Sequence, residues 1–135
     1  KVDRRGRRFG GGFYEYGDDG SKRLWQGLSE HFPLAEKQPD VQEVKQRLMY
    51  IQLIATAQCF DEEVVSDPQS ADLGAIFGWG FPPYSGGPMS EIDTIGVDNF
   101  VREADRLAQQ YGERFKPPMS FREMADAGET FYKAA

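Results

Sequence analysis

The chain of 135 residues contains one cysteine, one histidine and no apolar run as long as a membrane span. A single cysteine, Cys59, excludes an internal disulfide, which favours a reducing compartment and therefore predicts the cytoplasm. One histidine, His31, and one cysteine do not support a metal site. Hydrophobic residues make up 39% of the chain and charged residues 28%, as is typical of folded globular proteins.

The net charge of −6 is spread unevenly along the chain. Residues 1–10 contain five basic residues, Lys1 and four arginines, against Asp3, so this end carries +4 and the remainder carries −10. The acidic remainder argues against a nucleic-acid-binding surface. We interpret the basic cluster as a solvated terminal arm, with a phosphate-binding patch as the alternative. Because the chain starts at Lys1 and has no secretory signal, we expect a piece of a longer protein.

The spacing of apolar residues predicts helices and no strands. No segment alternates apolar and polar residues for long enough to indicate a strand, so we expect an all-α fold of five or six helices after an irregular lead-in over residues 1–20. The predicted helices are residues 21–29, 41–62, 68–77, 88–95, 97–111 and 120–127. Asp40 with Glu43, and Ser120 with Glu123, each have the spacing of a capping box.

The helix predicted at residues 41–62 has the strongest pattern. Apolar residues at spacing three and four predict its core-facing stripe, which consists of Val44, Leu48, Ile51, Ala55 and Cys59. Further apolar residues widen this stripe, so we expect the helix to be contacted on more than one side. Cys59 is interpreted as a small core residue. In the next helix we expect the inward-facing residues to be Leu73, Ile76 and Phe77.

A loop rich in glycine and proline follows, since residues 78–88 read GWGFPPYSGGP. Gly78 and Gly80 permit backbone conformations closed to other residues, whereas Pro82 and Pro83 fix their own φ, so the loop is predicted to adopt one shape. Pro83 also stands where a dinucleotide-binding GxGxxG motif needs its third glycine, which excludes that site.

Residues 80–87, GFPPYSGG, resemble the GFPPF-x-GG loop of the C-terminal helical domain in 3-hydroxyacyl-CoA dehydrogenases, particularly the large bacterial fatty-acid oxidation subunits. Residues 92–96, IDTIG, resemble the ID-x-IG segment that follows it. Residues 11–16, GGFYEY, are similar to the GKGFY-x-Y segment that closes the first helical repeat of that family. Residues 59–62, CFDE, are similar to its RCLE-D segment, and residues 121–125, FREMA, to its LREMA segment. The resemblance covers nearly the whole chain in the same order.

One residue departs from the family pattern. Glu63 stands where the family commonly has glycine, and a glycine there suits a left-handed cap that glutamate resists. We therefore expect either a longer helix or local backbone strain at this point.

The resemblance implies a helical domain like the C-terminal domain of 6-phosphogluconate dehydrogenase. Residues 1–39 would be the tail of the preceding repeat plus a linker, and residues 40–135 the C-terminal helical domain itself. It further implies that the parent is an oxidoreductase of fatty-acid β-oxidation, which oxidises 3-hydroxyacyl-CoA with NAD. The nucleotide-binding domain and the catalytic histidine and glutamate would lie upstream. No catalytic residue, bound cofactor or metal ligand is therefore assigned to this chain, and alone it is expected to be inactive.

The partners implied by the resemblance are acyl-CoA, bound through the parent enzyme, and the missing N-terminal domains of the same chain. A thiolase subunit and a second copy of the chain are further candidates, whereas a nucleic acid and a membrane span are not expected. The alternative function is a stand-alone helical interaction module that keeps the fold without the enzyme.

The loop supplies the candidate substrate-binding residues, which are Trp79, Phe81, Pro82, Pro83, Tyr84, Gly86 and Gly87. Its aromatic side chains have two interpretations: they plug the loop into the core, which is favoured, or they line an acyl or pantetheine groove. His31 lies in a segment superficially similar to the family's catalytic histidine, but it follows the GGFYEY segment instead of a nucleotide-domain strand. We interpret it as a linker or surface residue.

Overall fold

Six α-helices make up most of residues 3–132, the part of the chain described by the computed structural model. The fold is therefore all-α as predicted. The same residues also contain one two-stranded sheet, which the sequence pattern did not predict. The chain divides into two units, Lys1–Pro39 and Asp40–Ala135. This division falls immediately before the helix with the strongest sequence pattern. The assignment of either unit to a repeat of the dehydrogenase family stays a prediction.

The first unit is built on a hairpin in which β1 (Tyr14–Tyr16) pairs antiparallel with β2 (Lys22–Leu24). The helix predicted at residues 21–29 is therefore wrong, and a short helix, α1 (Leu28–His31), begins seven residues later than expected. The turn explains the difference. The Gly17 N–H donates to the Ser21 carbonyl at 3.0 Å, and the Ser21 N–H donates to the Asp19 carboxylate at 2.9 Å, so Ser21 closes a hairpin instead of capping a helix.

Two arginines of the basic cluster, Arg4 and Arg7, contact this hairpin and the residues next to it. The Arg4 Nε donates to the Gly12 carbonyl at 2.9 Å, and its guanidinium lies 4.4 Å from the centre of the Trp25 ring. Arg7 lies 5.1 Å from the centre of the Tyr16 ring. These contacts give the cluster a structural role that the prediction of a solvated arm did not include. Lys1, which the prediction also counted, lies outside the described residues.

The second unit contains α2 (Val41–Asp61), α3 (Pro68–Trp79), α4 (Pro88–Ile95), α5 (Val97–Tyr111) and α6 (Met119–Ala127). The bounds of α4 and α5 are those predicted, and α3 runs two residues further than predicted. Asp67 accepts a hydrogen bond from the Ser70 N–H at 2.8 Å, and Pro68 occupies the first turn of α3. The core is apolar, and its largest fully buried side chains are Phe81, Phe100, Phe121, Leu53, Ile54, Met89, Ile92 and Leu107.

The two predicted capping boxes have different outcomes. The Asp40 carboxylate accepts hydrogen bonds from the N–H groups of Gln42 and Glu43 and caps α2 as expected. The Glu43 carboxylate instead accepts two hydrogen bonds from Arg106 of α5, at 2.9 and 3.1 Å. Ser120 does not cap α6, because that helix begins at Met119 and the Ser120 hydroxyl donates to the Asp61 carboxylate. Both departures connect helices that are distant in the sequence.

The predicted core-facing stripe of α2 is largely wrong. The residues of α2 that are buried are Tyr50, Leu53, Ile54, Thr56 and Ala57. Leu48, Ala55 and Cys59 of the predicted stripe are exposed, and Val44 and Ile51 are half-buried. Because α2 has two apolar faces, periodicity alone could not show which face the core covers.

The predicted inward face of α3 is right for Ile76 and wrong for Leu73 and Phe77. Ile76 is half-buried and packs against the core, whereas Leu73 and Phe77 are 55% and 83% exposed. The buried residues of this helix are the small or short side chains Ala71, Asp72 and Ala75. They allow α3 to lie close to its neighbours.

The departure at Glu63 has the expected structural consequence. Glu63 has φ = 57°, and among the described residues it is the only non-glycine residue in the left-handed region. Its N–H donates to the Phe60 carbonyl at 3.1 Å, and the Val64 N–H donates to the Cys59 carbonyl at 2.9 Å. This pair of hydrogen bonds is the Schellman motif, whose left-handed residue is usually glycine. The local strain predicted from the sequence is therefore confirmed.

We expect Glu63→Gly to raise the free energy of unfolding by about 1 kcal/mol, because glycine adopts this conformation without the steric penalty. Glu62→Gly is the matched control, since Glu62 is right-handed with φ = −83°. That variant should lower the stability by roughly 0.5–1 kcal/mol. Urea unfolding of the three proteins measures both changes. A loss of stability in both variants would contradict the strained cap.

Candidate functional site

The three aromatic candidates lie in different environments: Trp79 is the last residue of α3, whereas Phe81 and Tyr84 lie in the loop from Gly80 to Gly87. Phe81 is fully buried in the core, whereas Trp79 is 58% exposed and Tyr84 is 88% exposed. The favoured interpretation, that the aromatic residues plug the loop into the core, therefore holds for Phe81 only. Pro82 is half-buried and Pro83 is exposed. Pro82 precedes a short turn over residues 83–85, which begins at Pro83.

The two adjacent glycines of the loop serve the backbone. Gly86 and Gly87 have φ = 83° and 117°, in the region that favours glycine. A Cβ atom on Gly87 would lie 2.4 Å from the Cβ and Cγ of Asp72. Glycine is required at this position because α4 begins directly against that side chain. Backbone conformation therefore accounts for glycine at positions 86 and 87 without the predicted contact to substrate.

Asp72 is the side chain that connects the loop to the helices around it. It is 4% exposed and accepts hydrogen bonds from the Met89 N–H at 2.6 Å and the Ser90 N–H at 3.2 Å, the first free donors of α4. The Ser90 hydroxyl donates to it at 2.7 Å and the Tyr132 hydroxyl at 2.8 Å. A carboxylate at a helix N-terminus is favoured by the helix dipole as well as by these bonds.

A second carboxylate of the same region holds the end of the described chain. Asp93 accepts hydrogen bonds from the N–H groups of Phe131 and Tyr132 at 3.0 and 2.8 Å. The Phe131 ring packs against Phe60 and Phe121, with centroids 5.6 and 5.1 Å apart. Burial, followed by the hydrogen bond to Asp72, raises the pKa of Tyr132 to about 12. The aromatic tail is thus part of the fold.

An apolar groove of about 480 Å³ lies between α2 and α3, and we call it the α2/α3 groove. Helix α2 contributes Ile51, Ala55, Thr56 and Cys59, and α3 contributes Ala71, Gly74, Ala75 and Trp79. No carboxylate, ammonium or guanidinium group lines it, and nothing lies within 4 Å of a Cβ placed on Gly74. Its walls are therefore low and apolar, and they suit a hydrocarbon chain or the face of another helix.

Trp79 is the one predicted site residue that lines this groove. The prediction missed Ala55, Cys59 and Gly74, and it assigned the first two of these to the core. A usable signal existed, because α2 carries more apolar residues than one helix face can bury. What the pattern lacked was any indication of which face stays open.

No histidine, aspartate or glutamate side chain of the described residues lines the groove. Asp72 is occupied by its four hydrogen bonds. His31 is exposed in the first unit, where its ring stacks on Trp25 with centroids 5.5 Å apart. Within residues 3–132, no group of three or more His, Cys, Asp or Glu side chains is arranged to hold a metal ion. No helix in that range is long and apolar enough to cross a membrane.

A comparison with models of known protein families gives no match to the chain. The resemblance to 3-hydroxyacyl-CoA dehydrogenases accordingly depends on the motif residues themselves, at positions 11–16, 59–62, 78–96 and 121–125.

We expect Asp72→Ala to lower the free energy of unfolding by about 3 kcal/mol, because it leaves the first N–H groups of α4 without their buried acceptor. Asp126→Ala removes an exposed carboxylate from α6 and should change the stability by less than about 0.5 kcal/mol. Chemical denaturation of both variants measures the difference. Equal effects would show that Asp72 does not connect the helices.

The raised pKa of Tyr132 predicts a pH dependence of stability. Folding favours the neutral phenol of Tyr132. This preference contributes fully to the free energy of unfolding below the ordinary pKa of 10.0, and the contribution is lost as the pH rises towards the folded pKa of about 12. Tyr132→Phe should therefore lose less stability than the wild type between these pH values. Tyr50, whose pKa burial also raises to about 12, is present in both proteins and cancels in the comparison. Parallel stability curves would rule out this contribution of Tyr132.

Proposed function

We propose that this chain is the C-terminal helical part of an NAD-dependent 3-hydroxyacyl-CoA dehydrogenase of fatty-acid β-oxidation. In that role it packs against the preceding parts of the parent enzyme and closes the acyl-CoA cleft. The parent's nucleotide-binding domain supplies the catalytic dyad and binds NAD. The observation that carries the proposal is the α2/α3 groove, an open apolar surface on a unit with a complete core of its own.

The groove supports this role because exposed apolar surface of this kind usually marks an interaction site. Helix α3 exposes further apolar side chains outside the groove lining, since Leu73 and Phe77 are 55% and 83% exposed. Small residues on both walls, Ala55 and Gly74 among them, let a helix or a hydrocarbon chain approach the backbone closely. A surface of this composition is suited to contacts with the rest of a larger enzyme.

The backbone at the motif residues supports the family resemblance independently of side-chain chemistry. The position where the family commonly has glycine, Glu63 here, has φ = 57°. The three glycines of the loop motif, Gly80, Gly86 and Gly87, also have positive φ. Four positions at which the family motif has glycine therefore coincide with backbone that favours it.

The chain's own residues supply shape and an apolar surface in this proposal, and they transfer no proton. Trp79 and the walls of the groove exclude water from whatever they cover, which strengthens polar interactions in an adjoining catalytic site. The stand-alone interaction module remains the second candidate, because the same open groove would serve a separate protein partner equally well.

The experiment is reconstitution of the dehydrogenase from two pieces. The full chain is mixed with a fragment of a 3-hydroxyacyl-CoA dehydrogenase that ends before its C-terminal helical domain, and oxidation of NADH by acetoacetyl-CoA is followed. We expect neither piece alone to turn over and the mixture to do so. Turnover by the pure chain, or none by the mixture, would contradict the proposal, and the second result would favour the separate module.

Two variants show whether the groove is responsible. Ala55→Glu places a charge in the α2/α3 groove and should reduce the reconstituted rate by about tenfold or more, because a buried unpaired carboxylate weakens the association. Gln58→Glu places the same charge on an exposed position of the same helix that does not line the groove. It should leave the rate unchanged. Equal losses in the two variants would exclude the groove as the contact surface.

A further inference from the structure

A second concave surface lies at the N-terminal half of α2 and differs from the α2/α3 groove in its charge. It has a volume of about 310 Å³ and is lined by Val44, Arg47, Leu48, Ile51, Arg114 and Phe115. Only Ile51 also lines the α2/α3 groove. Both ionisable residues of its lining are arginines, in a chain whose net charge is −6. We call it the arginine pocket.

Two neighbouring aromatic rings hold the two arginines. The guanidinium of Arg47 lies 4.0 Å from the centre of the Tyr111 ring, and that of Arg114 lies 5.2 Å from the centre of the Phe115 ring. The Tyr111 and Phe115 rings contact each other, with centroids 6.3 Å apart. This arrangement orients both cations without using their hydrogen-bond donors, because the rings contact the guanidinium groups by cation–π attraction.

One donor of Arg47 is not satisfied by the protein. Its Nε is buried and has no hydrogen-bond acceptor among residues 3–132. The nearby carboxylate of Glu43 accepts two hydrogen bonds from Arg106. Arg106, followed by Tyr111 and to a smaller extent by the charge of Arg47, holds the pKa of Glu43 below its ordinary value. A buried donor without an acceptor is uncommon, and a bound water, ion or ligand head group would satisfy it.

The rest of the lining is apolar. Leu48, which is 61% exposed, and Ile51 line one side of the pocket. Phe115, which is 2% exposed, forms its floor. A ligand that satisfies both features needs an anionic head for the arginines and a hydrocarbon chain for Leu48 and Ile51. A carboxylate suits the head, because a guanidinium donates two parallel hydrogen bonds to its two oxygens.

We propose that the arginine pocket binds a fatty monocarboxylate, with its head between Arg47 and Arg114 and its chain against Leu48, Ile51 and Phe115. This site goes beyond the dehydrogenase role. It does not depend on the parent enzyme, since every residue in it belongs to this chain.

The test is calorimetric titration of the full chain with three probes below any micelle-forming concentration. Dodecanoate should bind at least about tenfold more tightly than dodecanol, which lacks the charge, and acetate, which lacks the chain, should not bind detectably at the same concentrations. Equal affinity for dodecanol and dodecanoate would overturn the proposal, because it would indicate an apolar surface without head-group recognition.

Variants then locate the site. Arg114→Gln should weaken dodecanoate binding about tenfold or more, the effect of losing one charge-assisted hydrogen bond. Arg102→Gln makes the same change of charge at an exposed position of α5 outside the pocket and should have no effect. Ala55→Glu should also have no effect, since Ala55 lines only the α2/α3 groove. Loss of binding in Ala55→Glu, or equal effects of the two arginine variants, would contradict this location.

The role of the Arg47 Nε is tested directly by nuclear magnetic resonance of the arginine Nε–H groups in the wild-type chain. Dodecanoate should shift the Arg47 signal, which Arg47→Lys identifies by removing it. An unchanged Arg47 signal at saturating dodecanoate would overturn its assignment to the head-group site. This measurement needs no dehydrogenase activity, so its failure is distinguishable from failure of the reconstitution.

Discussion

The second unit depends on one buried carboxylate. Asp72 of α3 accepts hydrogen bonds from two backbone N–H groups and one hydroxyl of α4, and from the hydroxyl of Tyr132 near the end of the described chain. The approach is possible only because Gly87 has no side chain, since a Cβ there would lie 2.4 Å from Asp72. The intervening loop then turns Phe81 into the core and leaves Tyr84 outside. The shape of the loop thus follows from a helix cap, which explains Gly87 without assigning it a ligand.

The core organised in this way covers only one of the two apolar faces of α2. Tyr50, Leu53 and Ile54 are buried, whereas Ala55 and Cys59 remain exposed in the α2/α3 groove. Nearer the N-terminus of the same helix, Arg47 and Leu48 line the arginine pocket. One helix therefore presents an apolar surface suited to a protein or acyl partner and a basic pocket suited to an amphipathic anion. The two surfaces have different chemistry, and each proposal depends on its own observations.

The sequence predicted the start of α3 and both ends of α4 and α5, which local chemistry determines. In the structure Asp67 with Pro68 starts α3, Pro88 and Gly96 bound α4, and Gly112 ends α5, because each residue type has a strong preference for its cap position. The strain at Glu63 was predictable only through the resemblance, which indicated glycine there. The open face of α2 was not predictable, since two apolar faces look alike until the packing of α3 and α4 is known. The hairpin was missed because a turn at Gly17 and Asp19, and not periodicity, determines it.

We propose that the α2/α3 groove is the surface by which this chain joins the rest of a dehydrogenase. Cys59 lines that groove, so the reactivity of its exposed thiol reports whether the groove is covered. The rate at which a maleimide alkylates Cys59 is measured from the mass of this chain, with and without the dehydrogenase fragment that ends before its C-terminal helical domain. We expect rapid alkylation of the chain alone and a rate at least about tenfold lower with saturating fragment, since a covered thiol reacts only when the interface opens. An unchanged rate at saturating fragment would contradict this role of the groove.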